Sequence, residues 1–238
     1  MTRVVSLVPS VTETLMAWGV RPVAVTRFCE QPGITSVGGT KNPDVGRIVE
    51  LAPDVVVVDR EENRIDDARA LEAAGLQLCV LHVHDLDGVE PALDQLARAV
   101  GRPPSAPRLG LPASSESTAE DPQVRAWVPI WRRPWMTIGG DTYGSTLLRS
   151  VGMDSVFASR TDRYPTVTID EVAALLPEVV LAPNEPYAFA ERHRAELEAL
   201  APVVFVDGKD LFWWGVRTAA AQARLARLAA EVRRRLRS

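Results

Sequence analysis

Cysteine is scarce in this chain, two in 238 residues, and histidine nearly as scarce, with three. Cys29 and Cys79 form no CxxC pair and suggest no disulfide framework, in keeping with a reducing compartment. No apolar run approaches the roughly 18 residues of a membrane span, and the chain is not expected to be membrane-embedded. An excess of positive charge is lacking too: the net charge of -4 argues against nucleic acid as a main partner. The opening "MTRVVSLVPS" has neither the apolar core nor the small-residue cleavage site of a secretory signal. As written the chain is therefore expected in the cytoplasm, or in the periplasm or at the cell surface if a leader is missing from it. No nucleophile, base and orienting group fall into a recognisable set, and no Ser or Cys has a nucleophile-elbow context, so an enzyme is not expected.

What is present is an alternation of short β-branched runs with helical patterns, the mark of parallel α/β sheets. "RVVSLV" reads as a strand, and "SVTETLMAWGV" as a helix entered through a Ser10-x-x-Glu13 capping box. "NPDVGRIVELAP" reads as a helix with Asn42 as cap and Pro43 at its first position, and "DVVVVD" as the next strand. After five prolines and a serine cluster between Arg102 and Pro122 the order returns: "WMTIGGDTYGSTLLRSVGM" parallels "VVSLVPSVTETLMAWGV". The pairs Gly19/Gly152, Pro53/Pro177 and Leu71/Leu197 recur at spacings of 124 to 133 residues, which predicts two lobes of like topology. The expected fold is α/β: two lobes, each a parallel sheet flanked by helices, at 1–101 and 125–238, with a connecting segment or backbone helix over 102–124 and a ligand cleft between the lobes.

Ligands of such sheets bind outside the carboxyl ends of the strands. Aromatics gather in those loops: Phe28 in the first lobe; Trp131, Trp135, Tyr187 and the Phe212-Trp213-Trp214 run in the second. "WVPIWRRPWM" places three of the six tryptophans within ten residues, with Arg132, Arg133 and Pro134 marking its tail as a loop. That concentration points to a large, flat, partly apolar ligand.

"RVVSLVPSVTETLMAWGV", "VGGTKNPDVGRIVELAPDVVVVD" and "PWMTIGGDTYGSTLLRSVGMDSVF", in that order, resemble the class III, helical-backbone periplasmic binding proteins, and most of all their cobalamin-binding branch. The resemblance covers nearly the whole chain outside the connector. It implies a non-catalytic receptor for cobalamin or a related corrinoid, with haem or a ferric siderophore as alternatives, and no required cofactor. Carried over position by position, it implies a floor of Pro9, Ser10 and Phe28, with Asp59 where cobalamin binders present an aromatic. The second lobe would supply Trp131, Trp135, Tyr187, Phe212, Trp213 and Trp214, with Arg132 and Arg133 at the rim. Members that dock onto an ABC transporter permease use a surface acid on each lobe; Ile65 and Phe212 fall at those places here, with Asp66 and Asp67 close to the first.

Several features have plainer readings. Cys29 is a candidate soft-metal ligand and more simply a small buried hydrophobe. His82 and His84, two apart near a strand end, are a candidate chelating pair that lacks a third ligand, and the hydrogen-bonded pair is the simpler account. A cytosolic corrinoid or metal-chelate enzyme or carrier would use these residues, and a peptide-binding role for the tryptophans is a third reading. His193 reads as a helix-surface residue. "IGGDTYG" offers free N–H groups for an anion, although Asp141 or Thr142 as a helix cap explains it more simply. The carboxylates of "EENRIDD" read as a solvated helix start, and the terminal "RRRLR" as a solvated helix end.

Overall fold

The computed structural model describes residues 2–103 and 123–237. The expected connector lies outside the described residues except for Arg102, Pro103, Gln123 and Val124. The described residues fall into two compact units: 2–83, 87–103 and 214–217 in the first, and 84–86, 123–213 and 218–237 in the second.

In the first unit the strands are β1 (Val4–Ser6), β2 (Ala24–Val25), β3 (Thr35–Ser36), the hairpin β4 (Gly38–Gly39) and β5 (Asn42–Pro43), β6 (Val55–Asp59) and β7 (Leu78–Leu81). The helices are α1 (Pro9–Ala17), α2 (Val45–Glu50), α3 (Ile65–Ala73) and α4 (Val89–Ala99). A parallel sheet runs in the order β3-β2-β1-β6-β7. Every residue of β1 and β6 is buried, which is why "VVVVD" is a continuous apolar run: helices cover both faces of a parallel sheet, so neither face of a central strand can be polar. Helix α4 buries Val89, Ala92, Leu93, Leu96 and Ala97, the i, i+3, i+4, i+7, i+8 stripe of a helix lying on a core.

Two helix starts differ from expectation. Helix α1 begins at Pro9 behind an uncapped Val8, because proline at the first position has no N–H to satisfy; Ser10 lies inside the helix, and Glu13 pairs with Arg217 at 2.7 Å instead of closing a capping box. Helix α2 is capped by Asp44, which accepts the Arg47 N–H at 2.9 Å; Asn42 and Pro43 form β5. A reciprocal capping box does occur elsewhere, between Thr168 and Glu171.

The second unit holds β8 (Val124–Trp127), β9 (Pro129–Trp131), β10 (Trp135–Thr137), β11 (Met153–Ser155), β12 (Thr166–Val167), β13 (Val179–Pro183) and β14 (Val203–Val206). Its helices are α5 (Tyr143–Ser150), α6 (Ile169–Ala174), α7 (Arg194–Glu198), α8 (Gly208–Phe212) and α9 (Thr218–Leu236). A parallel sheet runs β11-β8-β13-β14, beside an antiparallel β12-β10-β9.

The order β11-β8-β13-β14 repeats β2-β1-β6-β7, so the counterpart of β1 is β8, "VRAW", and not "WMTI". The sequence comparison selected the last strand before the helix; the second unit inserts a hairpin, β9 and β10, between its first strand and α5. In each parallel sheet successive strands are added first on one side and then on the other side of that first strand, so the order switches between β1 and β6 and between β8 and β13. Crevices at such switch points, outside the carboxyl ends of the strands, are where sheets of this kind hold ligands.

Candidate functional site

At the switch point of the second unit six aromatic side chains pack together. Trp127, fully buried at the end of β8, lies 5.5 Å from Trp135 between ring centroids, with planes tilted by 59°. Trp135 stacks on Phe189 at 6.0 Å and 4°, Phe189 meets Tyr187 at 4.7 Å, and Tyr187 stands edge-on to Trp131 at 5.6 Å and 76°. The hairpin makes this possible. Trp131 pairs with Met136 across β9 and β10, and Trp135 with Val167 of β12, while Arg132, Arg133 and Pro134 form the turn. Trp131 ends the series 44% exposed, an indole held in place by a neighbouring ring yet open to solvent.

The sixth ring is His193, which is 5% exposed and not on a helix surface. Helix α7 starts only at Arg194, and the 3-10 turn Glu191–His193 before it directs the imidazole against Tyr187 and Phe189, each 5.5 Å away. Its Nδ1 accepts the Ala190 N–H at 3.1 Å, so in the neutral ring Nε2 carries the proton and donates to the Tyr187 hydroxyl oxygen at 3.3 Å. Burial first, then the Arg192 and Arg132 guanidinium groups, lower its pKa. The residue is a neutral strut for Tyr187.

Arg132 donates its Nε–H to Glu196 at 2.8 Å with its guanidinium carbon 6.0 Å from the Trp135 centroid; the hydrogen bond to Glu196 raises its pKa. Sequence reading had no access to Glu196, because the pair spans 64 residues. Asn184, just past β13, accepts the Gly208 N–H at 2.8 Å, tying the loop that carries Tyr187 to the start of α8. Phe212 and Trp213 lie half-buried at the end of that helix, with the Lys209 ammonium 4.7 Å from the Trp213 ring centre. Trp214 belongs to the first unit and is 5% exposed, so the Phe-Trp-Trp run is divided.

In the first unit a hydrogen-bond network holds the turn after β6. Asn63 donates to Thr40 O at 2.9 Å and Leu7 O at 3.3 Å, and its Oδ1 accepts the Asp59 N–H at 2.8 Å. Asp59 is buried, its Oδ1 accepting N–H groups from Glu61 and Glu62, and burial raises its pKa. The carboxylate thus shapes the turn after β6. Asn63 had no signal in the sequence beyond being a neutral residue in a charged run. Pro9 and Ser10 are buried in the first turn of α1. Phe28, in contrast, is exposed after β2.

The metal candidates are not brought together. Cys29 is buried with its sulfur 3.2 Å from the hydroxyls of both Thr12 and Thr26. His82, in the first unit, lies 3.9 Å from Glu61; His84, in the second, lies 3.5 Å from Asp85 and 4.0 Å from Asp141. Among the described residues no group of three or more His, Cys, Asp or Glu side chains is placed to hold a metal ion. The glycines of "IGGDTYG" are explained by close approach: a Cβ on Gly139 or Gly140 would overlap the carbonyls of Asp162 or Ala158, the Gly139 N–H is bonded to Arg163 O at 2.7 Å, and Thr142 caps α5.

Two α/β units, the second carrying an aromatic series beside its parallel sheet, are what these features define. The sequence pattern of the periplasmic binding protein family matches residues 4–197, and the chain belongs to that family. It is 25% identical over 192 residues to a vitamin B12-binding protein of Vibrio campbellii, covering 76% of this chain and 70% of that one. Among solved structures, its fold is shared with the periplasmic vitamin B12-binding protein BtuF of Vibrio cholerae (TM-score 0.79, 19% identity, 98% of each chain). It is shared equally with the periplasmic heme-binding protein BhuT in complex with two hemes (TM-score 0.80, 20% identity, 97% of this chain and 98% of that one). No helix among the described residues is long and apolar enough to cross a membrane.

Proposed function

We propose that the protein is a non-catalytic receptor for a corrinoid, a cobalamin-like macrocycle bound against Trp131 and Tyr187, and that it delivers this ligand to an ABC transporter permease. The observation that carries the reading is an open indole, Trp131, braced edge-on by Tyr187 at the switch point of a parallel sheet. A rigid, pre-positioned aromatic surface binds a flat ring without first losing side-chain freedom, so more of the contact energy appears as affinity. The vitamin B12-binding relatives support the corrinoid in particular.

Haem is the second reading, favoured by the equal likeness to a heme-binding receptor; a ferric siderophore is a weaker third. Calorimetric titration with cyanocobalamin and with haem separates the first two. On the corrinoid reading cyanocobalamin binds one-to-one at micromolar affinity or tighter and haem at least tenfold more weakly. Fractionation of cells producing the native protein tests delivery, for which the protein is recovered outside the cytoplasm.

A further inference from the structure

We propose that His193 makes the aromatic surface of the second unit acid-labile: a proton on its buried imidazole detaches the turn that holds Tyr187, so a macrocycle is gripped near neutral pH and released in mild acid. The inference deepens the receptor reading above and rests on it for the ligand, while the movement of the turn belongs to this unit alone.

The geometry fits only the neutral ring. His193 Nδ1 accepts the Ala190 N–H at 3.1 Å, closing the 3-10 turn Glu191–His193 on the residue before it. The other edge of the ring donates from Nε2 to the Tyr187 hydroxyl at 3.3 Å. A proton on Nδ1 turns that acceptor into a donor and sets two N–H groups against each other, so the bond to Ala190 is broken.

Nothing at the site compensates the new charge. The imidazole is 5% exposed and lies 5.5 Å from the rings of both Tyr187 and Phe189. The charged and titratable groups facing it are Tyr187 from the loop after β13, Arg132 from the turn between β9 and β10, Arg192 from its own turn and Glu196 from α7. Glu196 already accepts the Arg132 Nε–H at 2.8 Å, and Glu191 is held by Arg194. Two guanidinium groups and one engaged carboxylate disfavour an imidazolium, and the charge is relieved by moving the ring toward water. Tyr187 then loses its hydrogen-bond partner, and Trp131 loses the edge contact at 5.6 Å that braces it. By reciprocity, a ligand that prefers the braced arrangement makes His193 harder to protonate by the same factor that the proton weakens the ligand.

Two measurements on the full-length protein, its His193→Gln variant and its Trp131→Phe variant test this, with circular dichroism confirming that each remains folded at pH 5.0. Without ligand, tryptophan emission between pH 7.5 and 5.0 should show a one-proton step with its midpoint below 6.5, reduced in Trp131→Phe and absent from His193→Gln. No step in the unaltered protein, or the same step in His193→Gln, overturns the proposal. With cyanocobalamin, no group of which titrates in that range, calorimetry should show affinity about fivefold or more lower at pH 5.0 than at pH 7.5, and His193→Gln should lose this dependence. An equal fall in both proteins, or none in the unaltered protein, overturns the acid release while the receptor reading stands. Absence of binding at either pH contradicts the corrinoid reading instead, and the emission step then decides the behaviour of the turn by itself.

Discussion

The hydroxyl of Tyr187 lies 3.3 Å from His193 Nε2 while its ring meets Trp131 edge-on, so a buried imidazole sets the position of an exposed indole through one intervening phenol. On the proposed reading, binding and stability are divided between different tryptophans. Trp131→Ala should lower macrocycle affinity by about 2 kcal/mol, roughly 30-fold, with little change in unfolding midpoint, since 44% of the side chain is already in solvent. Trp214→Ala, at a position 5% exposed, should instead cost about 3–5 kcal/mol of stability. Calorimetry and urea unfolding of the two variants check both halves.

His193 should make stability depend on pH. Its folded pKa lies below 6.5, while in the unfolded chain it titrates near the ordinary value of about 6.5. As pH falls below 6.5 the unfolded chain takes up a proton that the folded chain refuses; stability is complete above 6.5 and declines with acidification until the folded pKa is reached. His193→Gln keeps polar atoms in the cluster and removes the titration. The stability difference between pH 7.5 and pH 5.5, from urea unfolding, should be smaller in that variant than in the unaltered protein.

Asn63 holds the turn after β6. Asn63→Ala removes two donors and one acceptor from buried partners and should destabilise by about 2–4 kcal/mol. Asn63→Asp should be worse at pH 7, because it sets a second carboxylate beside buried Asp59, and the excess should shrink as pH falls and the pair takes up a proton. Denaturant titrations across that range would show the convergence.

Gly139→Ala and Gly140→Ala should each destabilise by about 3 kcal/mol through overlap with backbone that cannot yield. Gly46→Ala is the control: in α2 an added Cβ meets nothing closer than 3.6 Å, and alanine there should be neutral or stabilising by about 0.5–1 kcal/mol. Thermal unfolding of the three variants distinguishes a glycine required by close packing from one that is not.

Much of the fold was legible because burial on both faces leaves a strong mark: "DVVVVD" read as a strand, and the glycine- and proline-spaced repeat announced two like units. The inserted hairpin was less legible. Arg132, Arg133 and Pro134 marked a turn, but whether Trp131 and Trp135 belonged to it depended on pairing with Met136 and Val167, which composition does not encode. In the aromatic series Trp131, Trp135 and Tyr187 stood out by residue type. His193, Glu196 and Asn63 did not, because each acts through partners fixed only by the tertiary fold, and "AERHRAELEAL" has a helical period that hides the 3-10 turn at its start. Local rules failed at Ser10, where proline at the adjacent position displaced a capping box that its spacing alone had suggested.

The most direct test of the receptor reading is a calorimetric titration of the purified, unliganded protein with cyanocobalamin, run in parallel on Trp131→Ala. One-to-one binding at micromolar affinity or tighter, weakened in the variant, is the result expected of a corrinoid receptor that uses the Trp131–Tyr187 surface. Absence of heat in the unaltered protein would contradict the corrinoid assignment, and equal affinity in the two proteins would remove that surface from the site.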